Sequence, residues 1–368
     1  MKGEKLYQVA LSLIPKIGPV LSKQLINYFE SPENILKTPK HKLTKIPGVG
    51  EKLSSLIPKQ KDLLFEAERV LNESHKKDIT VHYYKEASYP SRLLPIADAP
   101  IVLYSKGKAH LNPVKSLGIV GTRKATVYGL EATEDIVAEA RPHDLTLVSG
   151  LAYGIDVKSH KSALKEGLPT LGALACGLDE MYPRSHRSVA EKMLQDGGLV
   201  SEYPVGTKTD ARLFPARNRI IAALSDALIV VEAAVKGGAL ISANIAHSYD
   251  RPVFAVPGEL GKSYSEGCNL LIRNMKAAIY TGFKDVVEEL DWDSETKTQD
   301  RNDNLKYQSL EGIERKVVDV LMKNGQQLHL DQLCWQSQVP LGQLAGVLLQ
   351  LEIAGFVKPL PGKVYRLV

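Results

Sequence analysis

Between residues 79 and 290 short apolar runs recur, each followed by a small-residue turn and a helical stretch. The runs are Ser116–Val120, Leu145–Val148, Thr170–Ala175, Leu199–Ser201, Ala227–Val231, Pro252–Ala255 and Ala278–Tyr280. Runs this apolar suit strands buried on both faces, and the helical stretches supply the crossovers that parallel strands require. With right-handed crossovers the result is an α/β domain with a doubly wound, mostly parallel sheet. Its ligand crevice then lies at the carboxyl ends of the strands, where the unusual residues of this chain cluster.

The flanks read differently. Residues 1–72 form short helices and contain two similar pieces, Leu13–Val20 and Lys45–Leu53. In the second, Gly48 and Gly50 permit a tight turn ahead of a helix, whose first N–H groups can hold a phosphate. That is the pattern of a helix-hairpin-helix (SAM-like) module, and it makes Gly48 and Gly50 candidate auxiliary DNA contacts. A small helical bundle that uses the glycines only as turns is the alternative, and Pro19 removes one donor from the first piece. Asp291–Asn304 hold a single apolar side chain, Trp292, and residues 291–306 read as a linker. The tail, 307–368, gives helices over Leu310–Lys323, Leu330–Gln336 and Leu341–Ala354, then two strands around Pro361 and Gly362, the order of a winged helix. Its third helix carries one charge, Glu352, where a groove-reading helix needs cations, so a protein-contact or auxiliary role is expected. Leu341, Leu344, Leu348 and Leu351 read as core, and Lys358, Lys363 and Arg366 as a modestly basic wing.

Charge narrows the partners only gently. Lys and Arg total 47 against 42 acids, a net charge of +5, which is compatible with a polyanion only if the cations are focused. The cysteines Cys176, Cys268 and Cys334 are odd in number and far apart, so neither a disulfide framework nor a zinc site is expected. No signal-length or membrane-length apolar run occurs, which points to a cytoplasmic protein with no membrane partner.

The residues after the strands carry the chemistry. Gly121-Thr122-Arg123 departs from a dinucleotide fingerprint because Arg123 stands where the second glycine must let backbone approach a pyrophosphate. What remains is a guanidinium at a helix start, a device for single phosphates, with a surface ion pair as the alternative. Ser149-Gly150 opens the next turn, where Asp156 can cap a helix or anchor a basic neighbour, and His160 reads as structural. Phe214-Pro215-Ala216-Arg217-Asn218-Arg219 is the densest signal: two arginines that diverge on a helix, one to face a ligand and one to brace against Asp226 or Glu232. Phe214 is a candidate for base stacking, with a buried core ring as the plainer reading. Lys236-Gly237-Gly238 and Ser242 form one more glycine-opened helix start. Several such starts on one rim fit a run of phosphates better than one small anion, and no nucleophile–base pair, metal cluster or cofactor site emerges.

Together these blocks resemble the DNA-processing protein A family (DprA or Smf). The matching stretches are Gly121-Thr122-Arg123 with Tyr128-Gly129, Ser149-Gly150 through Asp156, Ser201-Glu202-Tyr203-Pro204, Phe214 through Ile221, and Lys236–Ala243; Tyr89–Leu94 and Pro100–Gly107 match the approach to that core. The resemblance implies an extended Rossmann-like core that binds single-stranded DNA, dimerises, and helps load the RecA recombinase in natural transformation. It assigns phosphate contact to Arg123 and to the Arg217-Asn218-Arg219 turn. Thr122 replaces the usual Ser and keeps a hydroxyl; Gly237 replaces a common Ser and leaves that turn to backbone donors. The leading expectation is a non-enzymatic recombination mediator. A nucleotide phosphoribohydrolase using Asp156 and Glu202 is the alternative, and transcriptional regulation through the tail is a third.

Overall fold

The structure, a computed structural model, describes residues 2–54, 60–108, 110–292, 310–324, 327–360 and 362–367. The chain opens with helices α1 (Lys2–Ser12), α2 (Pro19–Phe29), α3 (Pro32–Lys37), α4 (Lys40–Leu43), α5 (Glu51–Ser54) and α6 (Gln60–Lys76). Pro19 sits in the first turn of α2, where its missing N–H costs nothing, and the Ser31 hydroxyl caps α3 by accepting the Asn34 N–H at 3.1 Å. Gly48 turns the chain between α4 and α5 at φ +84°, a conformation open to glycine. The apolar faces of these helices, including Val9, Leu25 and Ile35, merge with Val81, Tyr104 and Leu199 of the sheet into one cluster. The helical segment is therefore packed onto the sheet, not tethered beside it.

The central elements follow as β1 (Thr80–Tyr83), β2 (Val102–Gly107), β3 (Ser116–Val120), α7 (Val127–Ala140), β4 (Thr146–Ser149), α8 (Ile155–Glu166), β5 (Thr170–Ala173), α9 (Arg187–Met193) and β6 (Gly198–Ser201). They continue with α10 (Leu213–Leu224), β7 (Ala227–Val230), α11 (Gly238–Ser248), β8 (Val253–Ala255), α12 (Glu266–Arg273), β9 (Ala278–Ile279) and α13 (Phe283–Leu290). The sheet runs β1-β2-β6-β5-β4-β3-β7-β8-β9, parallel from β6 to β9. Each of the seven expected runs is one of these parallel strands. Alternate residues serve the two faces: Leu117, Ile119, Ala227 and Ile229 meet α7, α8 and α13, while Val120, Leu228 and Val230 meet α10, α11 and α12. Strand order reverses between β3 and β7, which makes their carboxyl ends the natural crevice.

Two strands of the central sheet were not expected. β1 and β2 pair antiparallel with each other, and β2 pairs antiparallel with β6 through Tyr104 opposite Ser201. No crossover helix follows either, so they lack the strand–glycine–helix signature that revealed the others.

The tail comprises α14 (Gly312–Lys323), β10 (Gln327–His329), α15 (Leu330–Ser337), α16 (Leu341–Ile353), β11 (Val357–Leu360) and β12 (Val364–Leu367), with β12 central in a three-stranded antiparallel sheet. Leu344, Leu348 and Leu351 are core, but Leu341 is half exposed because it starts α16, one turn before the packed face. The expected basic wing is largely spent: Arg366 is buried, and it and Lys358 both pair with Asp291 at the end of α13. Trp292 is buried beside Phe283, ring centroids 6.2 Å apart, so the first two residues of the expected linker belong to the core edge. The remainder of that linker, 293–306, lies outside the described residues.

Candidate functional site

At the switch point three strand ends converge. The loop after β3 is held by the Thr122 N–H donating to the Glu232 carbonyl (2.7 Å) and by the Ile155 N–H donating to the Thr122 carbonyl (3.2 Å). The Glu232 carboxylate, buried, accepts the Thr126 N–H at 2.9 Å and its hydroxyl at 2.6 Å, and Thr126 caps α7. Glu232 is thus a loop clamp and not the partner of either arginine of α10. These bonds leave Arg123 projecting outward, exposed, and no carboxylate pairs with it among the described residues.

The Arg123 guanidinium lies over the Phe214 ring, 4.9 Å from its centroid, and that of Arg217 lies 5.8 Å from the same ring. Arg123, Arg217 and Phe214 therefore share one narrow pocket, also lined by Gly150, Tyr153, Cys176, Tyr182 and Thr209. Phe214 is half-buried, not a core ring, and packs 5.7 Å from Tyr182. Tyr153 and Tyr182 are half exposed, giving the pocket an aromatic rim to set against its two cations. Neither tyrosine was read from the sequence. Both sit in loops beyond the glycine turns, and only the spatial neighbourhood of Phe214 marks them.

The two arginines of α10 do diverge, but neither braces as expected. Arg217 is buried, and one terminal nitrogen donates to the Gly150 and Ala173 carbonyls, both at 2.5 Å. Burial works against its charge, partly offset by Asp156, and burial likewise raises the Asp156 pKa against the opposing pull of Arg217. Asp156 is buried beneath the pocket near Arg217, its carboxylate accepting the Ala152 N–H at 3.4 Å. Arg219 pairs with Glu202 and donates to the Asp98 carbonyl, while Asp226 takes a bidentate contact from Arg92 at 2.7 and 2.9 Å. Arg219 is thus turned away from the pocket that holds Arg217 and Arg123.

The serines are also inward. Ser149 is fully buried and its hydroxyl donates to the Ile119 carbonyl at 2.6 Å, and Ser242 is buried within α11. Their expected role as donors to a ligand is replaced by packing under the rim. Gly150 is forced by crowding: a Cβ there would lie 2.6 Å from Asp156 Oδ2 and 2.7 Å from the Arg217 guanidinium. Lys236 and Gly238 are exposed, and Asn218 Nδ2 reaches the Gly238 carbonyl at 3.5 Å, which ties the start of α11 to α10. Gly121 and Gly237 complete the two loops. Gly48 and Gly50 are exposed in the helical segment, remote in sequence from this pocket. His160 is fully buried against Thr170 at 2.7 Å, a structural histidine. No cluster of His, Cys, Asp and Glu able to hold a metal occurs among the described residues.

The arrangement is a cationic, aromatic-rimmed pocket built on a floor of buried, hydrogen-bonded polar groups. It can hold an anion against Arg123 and stack a planar group on Phe214 or Tyr182. Comparison with known proteins identifies the family. Residues 80–291 match the family model of DNA recombination-mediator protein A, 304–363 the DprA winged helix domain, and 9–57 a SAM-like helix-hairpin-helix tandem. The chain belongs to the DNA recombination-mediator protein A family. It is 32% identical to Protein Smf of Synechocystis over 99% of both chains, and 39% identical to the DNA processing protein DprA of Bacillus subtilis over 60% of this chain and 75% of that one. Among solved structures, DprA of Streptococcus pneumoniae superposes with a TM-score of 0.63 at 28% identity, covering 77% of this chain and 97% of that one. DNA processing protein A of Helicobacter pylori, described for its single-stranded DNA binding mode, gives 0.53 at 29% identity, over 58% of this chain and 96% of that one. The helical start, α/β core and winged tail thus form one DprA-family arrangement, and its role is DNA processing as a recombination mediator.

Proposed function

We propose that the chain binds single-stranded DNA across the β3/β7 switch point, protects incoming strands and helps load the RecA recombinase in natural transformation. The observation that carries this reading is the meeting of Arg123 and the Phe214–Arg217 turn in one pocket, from segments some ninety residues apart in sequence. Arg123 takes phosphate, Phe214 and Tyr182 take bases, and the loops of Gly121 and Lys236–Gly238 extend the track on either side. The likeness to the Helicobacter pylori protein supports single strands as the ligand. Function as a homodimer in the cytoplasm completes the reading.

A binding role without catalysis is supported by the state of the carboxylates. Glu202 is tied to Arg219, and burial holds the Asp156 carboxyl toward its neutral form, so no ionised carboxylate stands free in the pocket as a hydrolytic base. The test is fluorescence anisotropy with labelled oligonucleotides over a salt series. Affinity should fall by ~0.7 log unit per log unit of salt for each phosphate engaged on a single strand. Arg123→Glu should lower affinity at least tenfold for every sequence alike, with the melting temperature unchanged. Equal binding by wild type and variant would sink the proposal.

A further inference from the structure

The backbone of residues 96–98 is gripped from two sides. From α2, Lys23 Nζ donates to the Ile96 carbonyl at 2.8 Å and the Ala97 carbonyl at 3.2 Å. From α10, Arg219 donates to the next carbonyl in line, that of Asp98, and its other arm holds Glu202 beyond β6. The Asp98 carboxylate accepts from the Tyr249 hydroxyl at 2.7 Å, which closes off lateral movement of the loop. Three consecutive carbonyls thus join the N-terminal helices to the helix that begins with Phe214 and Arg217.

We propose that Lys23 and Arg219 are positioning residues, and that through loop 96–98 the N-terminal helices set the pose of α10 and hence the affinity of the pocket. The inference rests on the reading of that pocket as the single-strand site. A rigid helix carries the link: Arg219 lies less than two turns from Phe214, so a shift of α10 at its Asp98 contact is felt where Phe214 meets Arg123. Three other features would be idle in a merely docked domain. Lys23 spends its cation on two backbone carbonyls. Asp98 and Arg219 are the charged groups that face it, and they pull its pKa in opposite directions. Burial is the larger effect and brings that pKa down to about 8, so the grip on loop 96–98 loosens at mildly alkaline pH. Among the described residues, the ion pairs Lys5–Glu86 at 3.2 Å and Lys77–Asp179 at 3.0 Å also join these segments, and they touch neither the loop nor α10.

The experiment uses the full-length chain with Lys23→Met, Lys23→Arg and, as a docking control, Lys5→Met. Anisotropy with a labelled oligothymidylate is read from pH 7 to pH 9, alongside hydrogen–deuterium exchange of residues 213–224 without DNA at one fixed pH. Lys23→Met should bind three- to tenfold more weakly at pH 7 and lose the decline that wild type shows toward pH 9. Lys23→Arg should restore binding, Lys5→Met should match wild type, and exchange in α10 should rise only in Lys23→Met. Equal loss in Lys5→Met, or parallel pH profiles in wild type and Lys23→Met, overturns the link. If wild type binds no oligonucleotide, the functional reading fails by itself. The link is then decided by exchange alone, and unchanged protection of α10 in Lys23→Met overturns it.

Discussion

Single residues divide the pocket into a surface that recognises and a floor that supports. Arg123 and Arg217 have the same side chain and lie against the same ring, yet one is exposed and the other buried with two carbonyls and Asp156. Removing a partner from a buried charge pair typically costs about 3–5 kcal/mol, whereas exposed charges contribute little. Gly150 lies between these groups, and Gly150→Ala should lower stability by about 1–3 kcal/mol through overpacking, read as a reduced melting temperature. His160 supplies a pH signature. Burial first, then Arg217 and His186, bring its pKa from 6.5 down to about 3. The unfolded chain therefore takes up this proton below pH 6.5 while the folded chain does not, so stability is whole above that pH and erodes as pH falls toward 3. The erosion from this one group approaches about 1.4 kcal/mol per pH unit. Urea unfolding at pH 7, 6, 5 and 4 should show a shallower decline in His160→Gln than in wild type; identical slopes would refute the assignment.

Elements explain what the sequence could and could not reveal. The parallel strands were legible because β3 to β8 are buried throughout and several, such as β4 and β7, hand over to a helix opened by glycine. β1 and β2 were not, since an antiparallel edge pair such as Val102–Gly107 carries no crossover. Arg123 and Phe214 stood out as charge and aromatic beside turns. The inward direction of Ser149, Ser242, Arg217 and Arg219 was hidden, because a residue after a strand can face either the rim or the packing beneath it, and only the neighbouring helices decide. The true partners of Arg219 precede it, Glu202 by 17 residues and the Asp98 carbonyl by 121, while the acids that follow α10, Asp226 and Glu232, are engaged by Arg92 and Thr126. The start of α7 depends on the last of these. Thr126→Ala removes a helix cap and one of the two contacts holding Glu232, so it should cost about 1–2 kcal/mol in thermal or urea unfolding. A loss confined to DNA affinity, with unfolding unchanged, would show that the cap carries no stability.

On the scale of the molecule, the tail is fastened to the core by Asp291, which receives both Arg366 and Lys358. Asp291→Ala strips that anchor, and small-angle scattering should report a larger radius of gyration with each unit still folded by circular dichroism. An unchanged radius would mean that packing alone holds the tail. The sheet itself has two ends of very different kind. At one, β1 follows directly from α6, with the Ile79 N–H bonded back to the Ser74 carbonyl at 2.9 Å and helices packed over it. At the other, β9 is two residues long and offers a stray extended chain almost no ladder to join. Such margins matter wherever copies of a protein meet at high local concentration. With one end covered and the other two residues long, little free ladder is left to seed cross-β aggregates.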